Sequence, residues 1–384
     1  MTLPPEVATW RARFPTLNAR TYFATQCLGP IPDEALRDLD AYRDTLLLRS
    51  RGLGTWIERM DELHGLCEQL LGGAAGSVAL MPSATAAHGA LAAAIRPTER
   101  RNRILVSSLD FHSTRYLWQA QRERGFDVHE LKSADDATLP AEQVMRALDD
   151  RVAIVALSLV SPRSGALLDL APILAAARKC GARVVIDAYQ AVGVVPIDVA
   201  ALGVDALVGG THKWLCGGGT GLAFLYVAPD WCTTLTPVYP GWLAHLQLLE
   251  FADRFVPHVG ARRFQQGTPA LEPIYTARAG LRFALEVGVG NIRARNLQLG
   301  RQLIDGVTAL GLPLRTPRAD AARGGMLVVA VDDDKGEAIV EQLAERGIDI
   351  DHRPGAGIRL APHYCTTEDE CKQLLSALAE VAHE

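Results

Sequence analysis

Val184-Val185-Ile186-Asp187-Ala188-Tyr189-Gln190 and, 26 residues beyond Asp187 (213 − 187), Gly210-Thr211-His212-Lys213-Trp214 are the two stretches that decide the fold. The first is an unbroken apolar run ending in a carboxylate. Such a run, without polar alternation, describes a strand buried on both faces. A carboxylate at its end is costly unless a cation or hydrogen-bond donors meet it. Taken alone, Asp187 reads more naturally as a cap for the next helix. Lys213 follows a second apolar strand, Ala206 to Gly209, and alone it reads as a surface lysine. The Gly-rich turn after it, Cys216 to Gly221, is a weak signal. Neighbouring parallel strands, however, bring both strand ends to one edge of a sheet. A lysine held there among glycine and aromatic residues can be neutral and nucleophilic.

Outward from this pair the pattern repeats. Ser77 to Met81, Arg103 to Ser107, Val152 to Ser158 and Leu222 to Val227 are further apolar strands, with helical stretches such as Pro140 to Leu148 and Leu170 to Cys180 between them. Strand–helix alternation predicts an α/β fold with a mostly parallel sheet, ligands binding beyond the carboxyl ends of its strands. From about Leu271 the order changes. Helices over Ile274 to Val287 and Asn291 to Leu310 precede short strands at Gly325 to Val331 and Gly347 to Asp351, and a last helix spans Thr367 to Val381. The expected organisation is an N-terminal segment (1–20), a large domain (21–270) and a smaller α+β C-terminal domain (271–384). No Pro/Gly/Ser-rich linker separates the last two, so they should pack firmly.

Bulk properties narrow the function classes. A chain of 384 residues is too long for one ordinary core. Its net charge is −5 with no basic block, which argues against nucleic acid as a partner. Seven scattered cysteines with no CxxC pair suggest neither a disulfide framework nor a zinc site. The first residues do not read as a signal peptide, and no apolar run approaches the ~20 residues of a membrane span. The expectation is a cytoplasmic enzyme with no membrane partner and no metal.

Pyridoxal phosphate (PLP) catalysis needs the Asp/Lys pair. A lysine holds the cofactor as a Schiff base, and a carboxylate keeps the pyridine nitrogen protonated so that the ring accepts electrons from a substrate carbanion. More of the sequence fits the same chemistry. Tyr22-Phe-Ala-Thr-Gln-Cys-Leu-Gly-Pro30, Met81-Pro-Ser-Ala-Thr85, Asp110-Phe-His-Ser113, Ser161-Pro-Arg-Ser-Gly165, Pro240-Gly-Trp-Leu-Ala-His245, Gly260-Ala-Arg-Arg-Phe-Gln-Gln-Gly-Thr-Pro269 and Gly357-Ile-Arg-Leu360 occur in this order. They resemble "YLDGNSLGP", the phosphate-binding turn, "FP(S/T)", "NYRTG", "GWxGH", "GIRRFxxGTPP" and "IRF" of class V, fold-type I PLP enzymes, above all kynureninases. The resemblance covers nearly the whole chain.

The resemblance implies roles. Lys213 would carry PLP and shuttle protons, Asp187 would pair with the pyridine nitrogen, and Phe111 would stack on the ring. Ala84, through its backbone N–H, and Thr85 would hold the phosphate at a helix N-terminus. Gln190 and His212 would contact the cofactor, and Arg359 would grip the substrate α-carboxylate. Trp242 and Thr268 would reach the phosphate of a partner subunit, so a homodimer with shared sites is expected. The substrate would be a small molecule, an α-amino acid, cleaved hydrolytically at Cβ–Cγ.

Four positions depart from the kynureninase pattern. Gln190 replaces the histidine of "DLSH" and His212 replaces a tyrosine, both as in cysteine desulfurases. Gln26-Cys27 replaces Asn-Ser near the substrate, and Thr114 replaces an aspartate. His212 is then a candidate acid, since an unperturbed imidazole titrates near neutrality. A cysteine desulfurase or selenocysteine lyase would need a mobile cysteine before Arg359, and Asp351 to Arg359 contains none; Cys365 lies on the other side. A class V aminotransferase or epimerase is a further reading. A non-catalytic binding protein would leave the Lys/Asp/Arg set unexplained.

Overall fold

The computed structural model describes residues 5–381. The two-residue strand β1 (Thr21–Tyr22) is followed by seven strands that form one sheet: β2 (Val78–Met81), β3 (Arg103–Ser107), β4 (Asp127–Leu131), β5 (Val152–Ser158), β6 (Arg183–Asp187), β7 (Ala206–Gly210) and β8 (Ala223–Val227). Their order is β2-β8-β7-β6-β5-β3-β4. All neighbours are parallel except β8, which runs antiparallel to both β2 and β7. The expected α/β architecture with a mostly parallel sheet is what the chain adopts.

Period-two alternation gives the sheet two separate cores. Val184, Ile186 and Leu207 enter the core on one face, whereas Val185, Ala206 and Val208 enter the other with Ala87, Leu91 and Trp118. The helices Ala84–Ala94 and His112–Gln119 cover this second face. Asp187 has the parity of Val185, so it points toward those helices at the strand's carboxyl end. Each fully buried Val, Ile or Leu here contributes roughly 1.5–3 kcal/mol, which fixes the register that aims Asp187.

β9 (Leu327–Val329), β10 (Ile348–Asp349), β11 (Asp351–Arg353) and β12 (Gly357–Leu360) complete the strands. β11, β12 and β9 form an antiparallel sheet with a third core of its own. β10 pairs in parallel with β1, and Phe23 is buried in that third core. The segment after β1 then crosses back: Gly29 N donates to His212 O at 2.8 Å. A Cβ on Gly29 would lie 2.0 Å from Lys213 O, so only glycine permits this approach. The helix Leu271–Val287 packs on the helices Asp33–Thr45 and Leu53–Leu71, and its apolar face joins the core of the large sheet.

Candidate active site

The carboxyl ends of β5, β6 and β7 open into a cavity of about 320 Å³. Its lining includes Cys27, Ala84, Thr85, Phe111, Asp187, Gln190, His212 and Lys213, so eight of the sequence-predicted residues converge there. Arg359 faces an adjoining recess shared with Phe111, Gln190 and Lys213. Trp242 and Thr268 lie elsewhere, joined to each other by Trp242 Nε1 donating to Thr268 Oγ1 at 3.2 Å. Trp242 stacks on Phe251, and Tyr239, Leu249, Phe251 and Val259 are exposed.

Asp187 is buried, and burial opposes its ionisation. His88, the N–H of Tyr189 (3.0 Å) and the hydroxyl of Thr114 (2.9 Å) outweigh that and hold its pKa below the usual carboxylate range. His88 Nε2 stands 3.6 Å from Asp187 Oδ2, and neither of its ring nitrogens has a hydrogen-bond partner. Thr114, a departure in the sequence, thus supports the carboxylate directly. Lys213 is also shifted down, but for a lysine that favours the neutral form. Burial, and after it the charge of Arg359, lowers its pKa from 10.5 to about 8. Its Nζ lies 5.9 Å from the Phe111 ring centroid and 4.9 Å from that of Tyr189. Phe111 is exposed on the cavity wall, and the preceding Asp110 ties its turn to the sheet by accepting from Ser107 N and Ser158 N.

His212 lies beside Lys213, and burial together with the lysine's charge lowers its pKa to about 4. At neutral pH it is an uncharged imidazole, so it does not supply the imidazolium acid expected from an unperturbed ring. Its Nδ1 shares a 3.2 Å hydrogen bond with the hydroxyl of Tyr189, a residue the sequence reading passed over. Gln190 is fixed by both ends of its amide: Nε2 donates to Gln26 O (3.0 Å) and Oε1 accepts from Trp214 Nε1 (3.1 Å).

Arg359 differs most from expectation. It is buried, and its Nε and Nη2 donate to Asp351 Oδ1 and Oδ2 at 2.5 and 2.8 Å. The register places these two residues opposite each other on β12 and β11. The guanidinium fork is therefore occupied by an internal carboxylate. Arg353, two residues after Asp351, lines the cavity and has no ion-pair partner among the described residues. Burial, and after it the charges of Arg115, Arg163 and Arg353, hold His112 at the rim below the usual imidazole range. Cys27 sits close to Asp351; burial and that carboxylate push its thiol up.

The family model described as "Aminotransferase class-V" matches residues 53–363. The chain belongs to the class V aminotransferase family. An uncharacterized aminotransferase of Bacillus subtilis is 29% identical over 372 residues, covering 96% of each chain. A kynureninase of Deinococcus radiodurans is 32% identical over 304 residues, 78% of this chain and 72% of the relative. Among solved structures, a cystine C–S lyase bound to its product cysteine persulfide superposes with a TM-score of 0.86 at 23% identity, covering 96% and 99% of the two chains, which shows the common fold. As a class V enzyme the chain is PLP-dependent with the type I fold, as its sequence motifs implied. The cavity fits that cofactor: an ionised, donor-supported carboxylate at one side, a depressed lysine at the other, an aromatic wall, and the start of the helix Ala84–Ala94 at its end. Among the described residues no group of side chains suits a metal ion, and no helix is long and apolar enough to cross a membrane.

Proposed function

We propose that this enzyme cleaves a γ-keto α-amino acid hydrolytically between Cβ and Cγ, releasing a carboxylic acid and alanine. Bound PLP supplies the electron sink that makes such a substrate acidic at Cα. Lys213 holds the cofactor through its ε-amino group and, once freed by substrate, takes the α-proton; a pKa of about 8 suits it to both tasks at neutral pH. Asp187 would pair with the pyridine nitrogen, Phe111 would stack on the ring, and Ala84 N–H and Thr85 would hold the phosphate. Arg353 draws the substrate carboxylate toward Arg359, whose fork it takes over from Asp351. In the overall reaction water adds to the γ-carbonyl, the Cβ–Cγ electron pair stays on Cβ, and Cβ takes a proton.

The observation that favours this over sulfur chemistry is the cysteine placement. Arg353 and Gly357 bracket a tight hairpin turn with no cysteine in it. Cys365 and Cys371 are fully buried, and Cys27, the cysteine among the lining residues, has its thiol pushed up rather than activated. The kynureninase likeness supports the same choice. The test is a panel of α-amino acids scored for alanine, keto acid and sulfide. Alanine from γ-keto substrates alone supports the proposal; keto acid or sulfide as the main product overturns it. We further propose a homodimer whose sites are completed by Trp242 and Thr268 of the second copy, and a large unit over 21–270 with a smaller one over 271–384.

A further inference from the structure

Tyr189 is held in the cavity by a local device. A Cβ at Gly210 would lie 1.9 Å from Tyr189 Cζ and 2.2 Å from its hydroxyl oxygen, so the ring occupies space that any side chain at 210 would fill. Gly210 ends β7, two residues before His212, and this notch carries the phenol along the strand end to the His212 ring. The same ring lies 4.9 Å from Lys213 Nζ and lines the cavity with it. His212 is neutral and can only share a proton with the hydroxyl. No carboxylate contacts the phenol; burial and the more distant Asp187 push its pKa up, so it stays protonated at neutral pH.

We infer that Tyr189 is a catalytic acid of this enzyme, the group that protonates Cβ, with His212 as its positioning residue. The inference rests on the hydrolytic reading above. When the Cβ–Cγ bond breaks, its electron pair remains on Cβ; the Tyr189 O–H bond breaks and a C–H bond forms there. The phenolate left behind is held by His212 presenting Nδ1–H, and a proton from water restores the phenol. Lys213 acts at Cα, one carbon away, so the two proton transfers belong to two different residues.

The experiment compares wild type with Tyr189→Phe as holoenzymes on a γ-keto amino acid that the wild type cleaves. Two rates are read: alanine release, and exchange of the α-hydrogen with deuterium from solvent. Removing a general acid slows its step by roughly 10²–10⁴-fold. Tyr189→Phe should therefore slow alanine release at least a hundredfold while α-exchange stays within about threefold. Alanine release within threefold of wild type, or α-exchange falling in parallel with it, overturns the assignment. In the apoprotein, ¹⁵N resonances of the His212 ring should move on Tyr189→Phe; unchanged resonances would remove the pair. If wild type exchanges the α-hydrogen but releases no alanine from any γ-keto substrate, the hydrolytic reading itself fails and the acid at Cβ goes with it.

Discussion

Asp351→Asn isolates the pair that occupies the Arg359 fork. Asn keeps the shape and one acceptor but removes the charge that faces a guanidinium whose side chain is 3% exposed. Leaving one member of a buried ion pair unpaired costs about 3–5 kcal/mol, and retention of an acceptor places this variant near 3 kcal/mol. At about 2.1 cal/mol/K per residue, cooperative unfolding of 384 residues carries roughly 0.8 kcal/mol/K, so Tm should fall by about 4 °C. The consequence for ligands is opposite in sign. A substrate carboxylate entering the wild-type site must compete with Asp351, whereas in the variant it supplies the missing charge. Alanine, the expected product, should thus raise the Tm of Asp351→Asn holoenzyme more than that of wild type at the same concentration. Scanning calorimetry with and without alanine measures both effects. A variant as stable as wild type, or one that alanine stabilises less, would show that Asp351 orients the arginine for substrate rather than competing for it.

Lys213→Met should abolish turnover and the visible absorbance of bound cofactor. Its apoprotein should also be the more stable one at neutral pH. The folded lysine titrates near 8 and the unfolded one near 10.5, so wild type loses stability as pH falls through that interval; the advantage of the variant is full below about 8 and gone above about 10.5. Chemical denaturation across pH checks this, and a pH-independent difference would contradict it. Trp242→Ala should weaken PLP retention, read by equilibrium dialysis; if dilution to stable monomers leaves wild-type cofactor affinity unchanged, the shared site is wrong. Alkylating accessible thiols should leave a Cys27→Ser enzyme active. Its inactivation, prevented by adding Cys365→Ser, would bring back the desulfurase chemistry.

Six strands of the large sheet were legible because buried strands are unbroken apolar runs, and each one proposed from the sequence has its counterpart in β2, β3 and β5 to β8. β4 was not, because Asp127-Val-His-Glu-Leu131 is an edge strand with Asp127 and His129 exposed, and its polar residues hide the run. Chain-order motifs located Asp187, Lys213 and the residues around them. What they missed depends on contacts between distant segments. His88 and Thr114 reach Asp187 only because the parity of β6 turns it toward their helices. Asp351 reaches Arg359 across a hairpin. A signal for that pair was present: Pro354-Gly355 lies midway between the two residues, and a turn there sets them opposite each other. Gly210, just ahead of the Thr-His-Lys segment, was likewise a sign of close packing, but only the fold shows that the packed group is Tyr189.

The two shifted groups of the cavity give it a direction. Asp187 stays ionised against its burial, so one end is negative whenever the site is empty of cations. At the other end Arg359 is paired with Asp351, and Arg353 has no ion-pair partner among the described residues. We propose that a zwitterionic amino acid entering this field is oriented before any contact forms, carboxylate toward Arg353 and ammonium toward Lys213. Lys213, whose pKa is lowered to about 8 by burial and then by Arg359, gives up its proton more readily than a free lysine as that ammonium approaches. On this proposal the arginine that the motif marks as the carboxylate grip also helps burial to lower the lysine's pKa, and the arginine two residues past Asp351 provides the charge that steers the substrate.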